Sequence, residues 1–269
     1  MANAAYTSGF NTDALFVAAK AATVFAAHEQ SLFLGGGMVP VVNAPNGLLQ
    51  VPELAAVTAT TLTAEAAPGV DLDAVLPADT KNTIQCDIYA ARSVLRDLGA
   101  IDPAEIGRVL GNAVSKAFDT AVITAMNGLT ASTSDGDPVT VDSLFDAAAQ
   151  IRGNGETGQL MGIVSAAEAA NLMKDIGTNA YGGGDFQSEA MRNGFLGQIA
   201  GIRMFQSSYI SGANKGFVFA GDAMRIAMQK NVDIETARRP EAVGQDIVAS
   251  LHAGVGVIDA GRGVKLVNV

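Results

Sequence analysis

Apolar residues along this chain follow two periods, and the places where one gives way to the other mark its elements. The clearest run is Ile106, Val109, Leu110, Ala113, Ala117, Phe118, Ala121, Val122 and Ala125, spaced as one side of an α-helix. Asp102-Pro103-Ala104-Glu105 opens it, with Asp as cap, Pro at the first helical position and Glu at the third; Asn127-Gly128 ends it. About 25 residues at 1.5 Å each give a rod of roughly 37 Å, long for a domain helix. Residues 11–30 also predict a helix, capped by Asn11 or Thr12. Its stripe of Leu15, Ala18, Ala22, Phe25 and Ala26 finds no partner before the break at Gly35-Gly36-Gly37, so it reads as an arm that packs elsewhere.

From Val39 to Val57 short extended pieces are interrupted by Pro40, Pro45 and Pro52. Each proline removes an amide from a sheet ladder, which favours an edge or projecting strand. Val57–Glu65 and Thr83–Val94 are β-prone and flank a turn-rich tip holding Pro68, Gly69, Asp71, Asp73, Pro77 and Asp79, the pattern of an extended hairpin. An α/β stretch follows: a helix near Val141–Arg152, a strand at Leu160–Val164, and a helix opened by Ser165-Ala-Ala-Glu168 and closed at Gly177. After a glycine-rich loop at 182–184 and a short helix near Gln187–Arg192, strands are expected at Ile202–Phe205, Gly216–Ala220, Met224–Lys230, Ile247–Ala253 and Val264–Val267. The chain has no fixed-period repeat, which excludes solenoids and propellers.

Composition narrows the function. The 269 residues are 49% apolar, enough for a substantial core without disulfides or metal. With 17 Lys and Arg against 27 Asp and Glu, net charge −10, the chain lacks the basic footprint with which nucleic-acid binders neutralise phosphate. The acidity is concentrated at the front: up to residue 80 the single basic side chain is Lys20, against seven acids. One cysteine, Cys86, cannot form an intramolecular disulfide and reads as a free buried thiol of a protein folded in a reducing cytosol. No stretch approaches the roughly 18 to 20 apolar residues of a membrane span, and no basic segment precedes an apolar run at the N-terminus, so a soluble chain without a signal peptide is expected. Thirty glycines, many alanines and no tryptophan point to close backbone packing.

Candidate chemistry is sparse. Gly153-Asn-Gly155-Glu-Thr-Gly158 has the spelling of a dinucleotide-binding loop, but a helix precedes it and a strand follows, the reverse of the required order, so a helix-to-strand turn is expected. His28, His252 and Cys86 are too few and too scattered for a metal set or a His-based nucleophile, so no catalytic, cofactor or metal residues are assigned. Asp71, Asp73 and Asp79 carry oxygen ligands for a hard cation but lack the turn glycine and terminal glutamate of a calcium loop; solvated loop charges are the alternative. Arg238-Arg239 beside Pro240 offers a phosphate contact or, on an acidic protein, a salt bridge to another copy of the chain.

The order of elements, an arm helix, a long acidic hairpin, a long capped helix, an α/β segment and terminal strands, resembles the major capsid protein of tailed bacteriophages, the HK97-type fold. The residues that carry it are the hairpin Val51 to Val94 leading through Asp97-Leu-Gly-Ala-Ile-Asp102-Pro103 into the long helix, Gly197-Gln-Ile-Ala-Gly201-Ile-Arg-Met-Phe-Gln-Ser-Ser, and the ending from Ala223-Met-Arg-Ile-Ala through Asp246–Val257 to Val264-Lys-Leu. The resemblance implies an α+β shell subunit, without catalysis or cofactor, that self-assembles into pentamers and hexamers of an icosahedral capsid around double-stranded DNA. It implies an N-terminal arm (1–45), an extended loop (46–83), a peripheral domain with the spine helix (84–135 and 225–256) and an axial domain (136–224 and 257–269). Inter-subunit contacts are expected at Glu65, Asp71, Asp73, Asp79, Lys81, Arg238 and Arg239, and the arm helix is expected to gain its core from a neighbour. Portal, a separate scaffolding protein and cement or decoration proteins are implied partners, with assembly in the bacterial cytoplasm, location in the virion, no membrane and no sequence-specific DNA contact. No lysine occurs between residues 21 and 80, so a covalent cross-link through the extended loop is not expected. Two further readings are a bacterial nanocompartment shell of the encapsulin type and a nucleotide-binding α/β enzyme using the loop 153–158.

Overall fold

Two sheets share the apolar residues of this chain, and the period-2 alternation of their strands decides which side chain enters which core. The computed structural model describes residues 19–27, 31–34, 37–54, 79–96, 103–131, 138–178, 197–212 and 214–267. Its elements in chain order are a helix at 19–27 (α1), β1 (Val41–Asn43), β2 (Leu48–Leu54), β3 (Asp79–Gln85), β4 (Asp87–Arg96), α2 (Pro103–Ala125), β5 (Thr130–Ala131), α3 (Val141–Gly153), β6 (Leu160–Ser165) and α4 (Ala166–Thr178). Then come β7 (Gln198–Ile199), β8 (Ile202–Ser207), β9 (Asn214–Ala220), β10 (Met224–Arg239), β11 (Gly244–Val257) and β12 (Gly263–Val267).

The first sheet has the order β1-β10-β11-β4, antiparallel except for the short parallel edge β1. Helix α2 lies across it, burying Leu110, Val114, Phe118 and Val122 against Ile234, Ala249 and Leu251, with Tyr89 edge-on to Phe118 at 5.7 Å between ring centres. The second sheet has the order β5-β12-β9-β6-β8-β7. On one face, Leu160, Val164, Ile202 and Val218 meet Leu144 and Ile151 of α3 and Leu172 of α4. On the other, Ile163, Phe217 and Phe219 join the core of the first sheet through Met126 and Leu129. The remaining pair, β2 and β3, forms a ribbon of its own.

The structure departs from the sequence expectations in several places, beginning with Val109, Ala113 and Ala117, which were expected on the packed side of the long helix and are exposed. The expected strand 83–94 is two strands: the chain changes sheets at Cys86, so β3 belongs to the ribbon and β4 to the first sheet. Strands β10 and β11 extend well past the expected ends, because the outward positions Asp233, Glu235 and Asp246 interrupt the apolar run while Ile234, Ile247 and Ala249 keep the inward one. Glu168 does not reach back to its helix start. Ser165 Oγ accepts from Glu168 N at 3.3 Å, but the Glu168 carboxylate, 2% exposed, accepts from Val139 N at 2.9 Å and faces Lys215 Nζ at 3.4 Å. Finally, α1, expected to gain its core from a neighbour, packs on α2 of its own chain. Its buried face is Ala19, Thr23, Ala26 and Ala27, lying against α2, and Phe25, expected inside, is 66% exposed. The hairpin tip, the Asp102 cap and the short helix near 187–192 fall outside the described residues.

Candidate assembly surfaces

Among the described residues the ribbon β2–β3 is anchored at its root. Ala44 N donates to Met228 O, Gly47 N to Ala44 O and Cys86 N to Gly47 O, each at 2.9 Å, which ties the start of β2 and the end of β3 to β10. Asn82 Nδ2 donates to Ile258 O at 3.0 Å, and a small apolar cluster of Ala44, Ile84 and Ala227 fills the junction. Gly254 of β11 is required here, because a Cβ would strike the carbonyl of Gln85 as β3 crosses over the sheet. Cys86 is half-buried, its Sγ 3.5 Å from Ala227 O; burial first, and Asp87 next, push its thiol up from the ordinary value. Beyond this root the ribbon runs from Leu49 opposite Ile84 to Leu54 opposite Asp79, with no third strand among the described residues. An isolated two-stranded ribbon is marginally stable in water, so its length calls for a second surface to lie on.

Two of the expected contact residues lie on this ribbon: Asp79 begins β3, and Lys81, exposed, stands opposite Pro52. Glu65, Asp71 and Asp73 lie outside the described residues. Arg238 and Arg239 end β10, opposite Gln245 and Gly244, at the tip of the β10–β11 hairpin. Arg239 Nη2 sits 3.8 Å from Glu241 within the same turn. The turn Pro240–Ala242 is followed by Val243 in the left-handed region (φ 46°, ψ 56°), with 62% of its surface exposed. A β-branched residue is strained there, and here it also presents an apolar side chain to solvent.

Three other arginines are committed within the chain. Arg92 pairs with Asp246, Arg225 with Asp222 at 2.7 Å, and Arg262 with Asp259 at 3.0 Å and Glu156 at 3.2 Å. The last pair, with Asn154 Nδ2 donating to Gly261 O at 2.7 Å, pins the loop 153–158 as the turn from α3 to β6. Lys20 is likewise paired with Asp233 at 2.7 Å. His252 lies on β11 between Ile88 and Lys230, and no cluster of three His, Cys, Asp or Glu side chains among the described residues is arranged to hold a metal. His28 is outside the described residues.

A third surface was missed by the sequence reading. Gly107 and Gly111 of α2 bring α1 into backbone contact: a Cβ at either would stand 2.5 Å from a carbonyl oxygen, of Ala19 and of Thr23 respectively. Thr23 Oγ1 lies 2.8 Å from Ala19 O of its own helix and 2.9 Å from Gly107 O, and Ser115 Oγ 2.8 Å from Gly111 O and 3.0 Å from Ala27 O, so each hydroxyl shares its proton between the two helices. Past α1, the turn 31–34 meets Asp119: Ser31 Oγ donates to Oδ1 at 2.6 Å and Leu32 N to Oδ2 at 3.1 Å. Asp119 is fully buried, and the loss of water pushes its carboxyl up to about 6 even though Ser31 and the Leu32 and Phe33 amides pull it down. The visible signal was Gly107, Gly111 and Ser115 at four-residue spacing, with an acid one turn further on.

A family model described as phage capsid protein matches residues 93–266. Among solved structures, the capsid of the cyanophage P-SCSP1u superimposes with TM-score 0.67 at 17% identity, over 86% of each chain. The capsid of a native GTA particle gives TM-score 0.69 at 13% identity, covering 91% of this chain and 90% of that one. A virus-like particle from Pyrococcus furiosus gives 0.67 at 13%, covering 93% and 98%. No curated protein matches the sequence. At these identities the superpositions establish a common fold.

Proposed function

This chain belongs to the phage capsid protein family and is a shell-forming HK97-type subunit, and we propose that its shell is icosahedral, built of pentamers and hexamers, and encloses double-stranded DNA. The observation that carries the reading is the β2–β3 ribbon, rooted on the first sheet and paired only with itself among the described residues. Lying over a neighbouring subunit would supply the apolar burial and strand contacts that its own chain withholds. The first sheet with α2 then forms a peripheral domain and the second sheet with α3 and α4 an axial domain. The pairing of β5 with β12 supports counting Thr130 and Ala131 with the second sheet.

The ribbon's Asp79 and Lys81, the loop acids Glu65, Asp71 and Asp73, and the tip formed by Arg238, Arg239 and Val243 are proposed inter-subunit contacts. Two copies of a chain of net charge −10 repel, so basic groups at a projecting tip are placed where opposite charge lowers that cost. The same acidity leaves packed DNA free to enter and leave, since the shell has no basic surplus to hold phosphate. A separate scaffolding protein, a portal and cement proteins complete the proposed assembly, which takes place in the host cytoplasm. A bacterial nanocompartment shell is not favoured, because the matched family is that of phage capsids.

Electron microscopy and size measurement of the purified chain, with and without residues 63–78, test this. Intact protein is expected to form closed shells and the deletion a folded, unassembled subunit. A deletion that assembles normally would overturn the ribbon's role.

A further inference from the structure

We propose that Asn82 is a positioning residue for assembly: its side-chain amide latches the β2–β3 ribbon to the end of β11 across two glycines, and so sets the direction in which the ribbon leaves the subunit and the uniformity of the shell. The proposal rests on the reading of the ribbon as the part that lies over a neighbour.

The ribbon is fastened to two adjacent strands of the first sheet. On β10, Ala44 N donates to Met228 O at 2.9 Å, and Gln229 Nε2 donates to Pro45 O at 3.3 Å. Along β11 and just past its end, the alternate positions 254, 256 and 258 each meet one residue of β3. A Cβ at Gly254 would strike the Gln85 carbonyl, and one at Gly256 would stand 2.7 Å from Ile84 Cγ1, so glycine at both lets β3 lie directly on the strand. Ile84 is buried and closes the junction with Ala44 and Ala227. At 258 the contact is polar: Asn82 Nδ2 donates to Ile258 O at 3.0 Å.

Of these contacts the one made by Asn82 lies farthest out. The chain changes sheets at Cys86, and four residues of strand at about 3.3 Å each put Asn82 roughly 13 Å from that pivot. The backbone bonds of Ala44, Gly47 and Cys86 sit beside the pivot and have little leverage on the ribbon's tilt. The acceptor is itself fixed, because Ile258 N and Asp259 N both donate to Ala223 O, at 2.8 and 3.2 Å. A carbonyl oxygen needs a donor, which the asparagine amide has and a carboxylate lacks. The seven residues of β3 span about 23 Å, so a tilt of about 10° at the root moves the far end by roughly 4 Å. Closure depends on the rotation between neighbouring copies, so an unfixed tilt yields a spread of curvatures.

Hydrogen exchange of the full unassembled chain and electron microscopy of its assembled particles test this with Asn82→Ala and Asn82→Asp. A lifted ribbon holds its own ladder poorly, so loss of the latch should lower protection of residues 81–85 about fivefold. Ala113→Gly, which costs the subunit a similar amount on α2, should leave that protection unchanged. Shells of the Asn82 variants should be spread in diameter or open where those of the unaltered chain are uniform. Gly256→Ala, which lifts Ile84 from below, should do the same. Unchanged protection of 81–85 in the Asn82 variants, an equal loss in Ala113→Gly, or shells of unaltered uniform diameter would overturn the latch. If the Asn82 variants do not fold, Gly256→Ala decides by the same two readings. If removal of residues 63–78 abolishes closed shells while the Asn82 variants assemble normally, the latch falls and the ribbon's role stands; if both assemble normally, the ribbon's role falls with it. Should the unaltered chain form no shells, the exchange comparison decides the latch alone.

Discussion

Replacing Gly107 and Gly111 by alanine sets two physical effects against each other, and the structure says which wins. In an unpacked helix each change would stabilise by about 1 kcal/mol, because alanine loses less backbone freedom on folding. Here each new Cβ would stand 2.5 Å from a carbonyl of α1, against the 3.4–4 Å of ordinary contact, so the helices must separate by about 0.9 Å. The obstacle is backbone, which cannot rotate away as a side chain could. Overpacking of this kind costs about 1–3 kcal/mol per site. The double variant should therefore range from roughly neutral to about 4 kcal/mol less stable, where the unpacked helix would gain about 2 kcal/mol. At about 2–4 °C per kcal/mol for a chain of this size, the two outcomes are separable by thermal unfolding of unassembled subunits. Hydrogen exchange of residues 19–27 reads the same event locally, and its protection should fall. A variant that melts several degrees higher with α1 protection unchanged would refute the packing of α1 on α2.

Three further predictions follow from other parts of the fold. Ala113→Gly and Ala117→Gly, both on the exposed side of α2, should each cost about 1 kcal/mol through helix propensity alone, read by denaturant unfolding; no change would mean that α2 ends short of them. Val243→Gly relieves a left-handed β-branched residue and should leave the subunit as stable or up to about 1 kcal/mol more stable, while closed shells form less readily by light scattering. Subunits that lose stability would show that the turn is not strained. Gly254→Val should release the ribbon root from the first sheet by displacing Gln85, seen as proteolytic cleavage near residues 45–50 in an otherwise folded chain; wild-type resistance would count against the crossing at Gly254.

The resemblance to a capsid subunit was legible in the sequence because it rests on order and period. A helix of 23 residues beginning at Pro103, the short apolar runs of β6 and β9, and the proline-broken stretch before the ribbon are all local properties. They follow from where an apolar face repeats and from which backbone angles a residue allows. The loop 153–158 was likewise decided by its neighbours in sequence, a helix before and a strand after.

Tertiary structure alone decided the rest, because it depends on what lies opposite. The sequence could mark Gly107, Gly111 and Asp119 as odd members of an apolar helix, but only the approach of α1 shows that the glycines are contact points and that the acid holds a turn nearly ninety positions earlier in the chain. The change of sheets at Cys86 is hidden in a strand-like run, since both β3 and β4 alternate and no residue between them breaks the pattern. Of the arginines that composition offered as partners for a neighbour's acids, Arg92 is paired within its own chain because β11 brings Asp246 to it from 154 positions away, whereas Arg225 with Asp222 and Arg262 with Asp259 pair across three residues. A sequence states how many charges there are and which lie a few residues apart; a pair such as Arg92 and Asp246 is set by distances that only the packed sheet fixes.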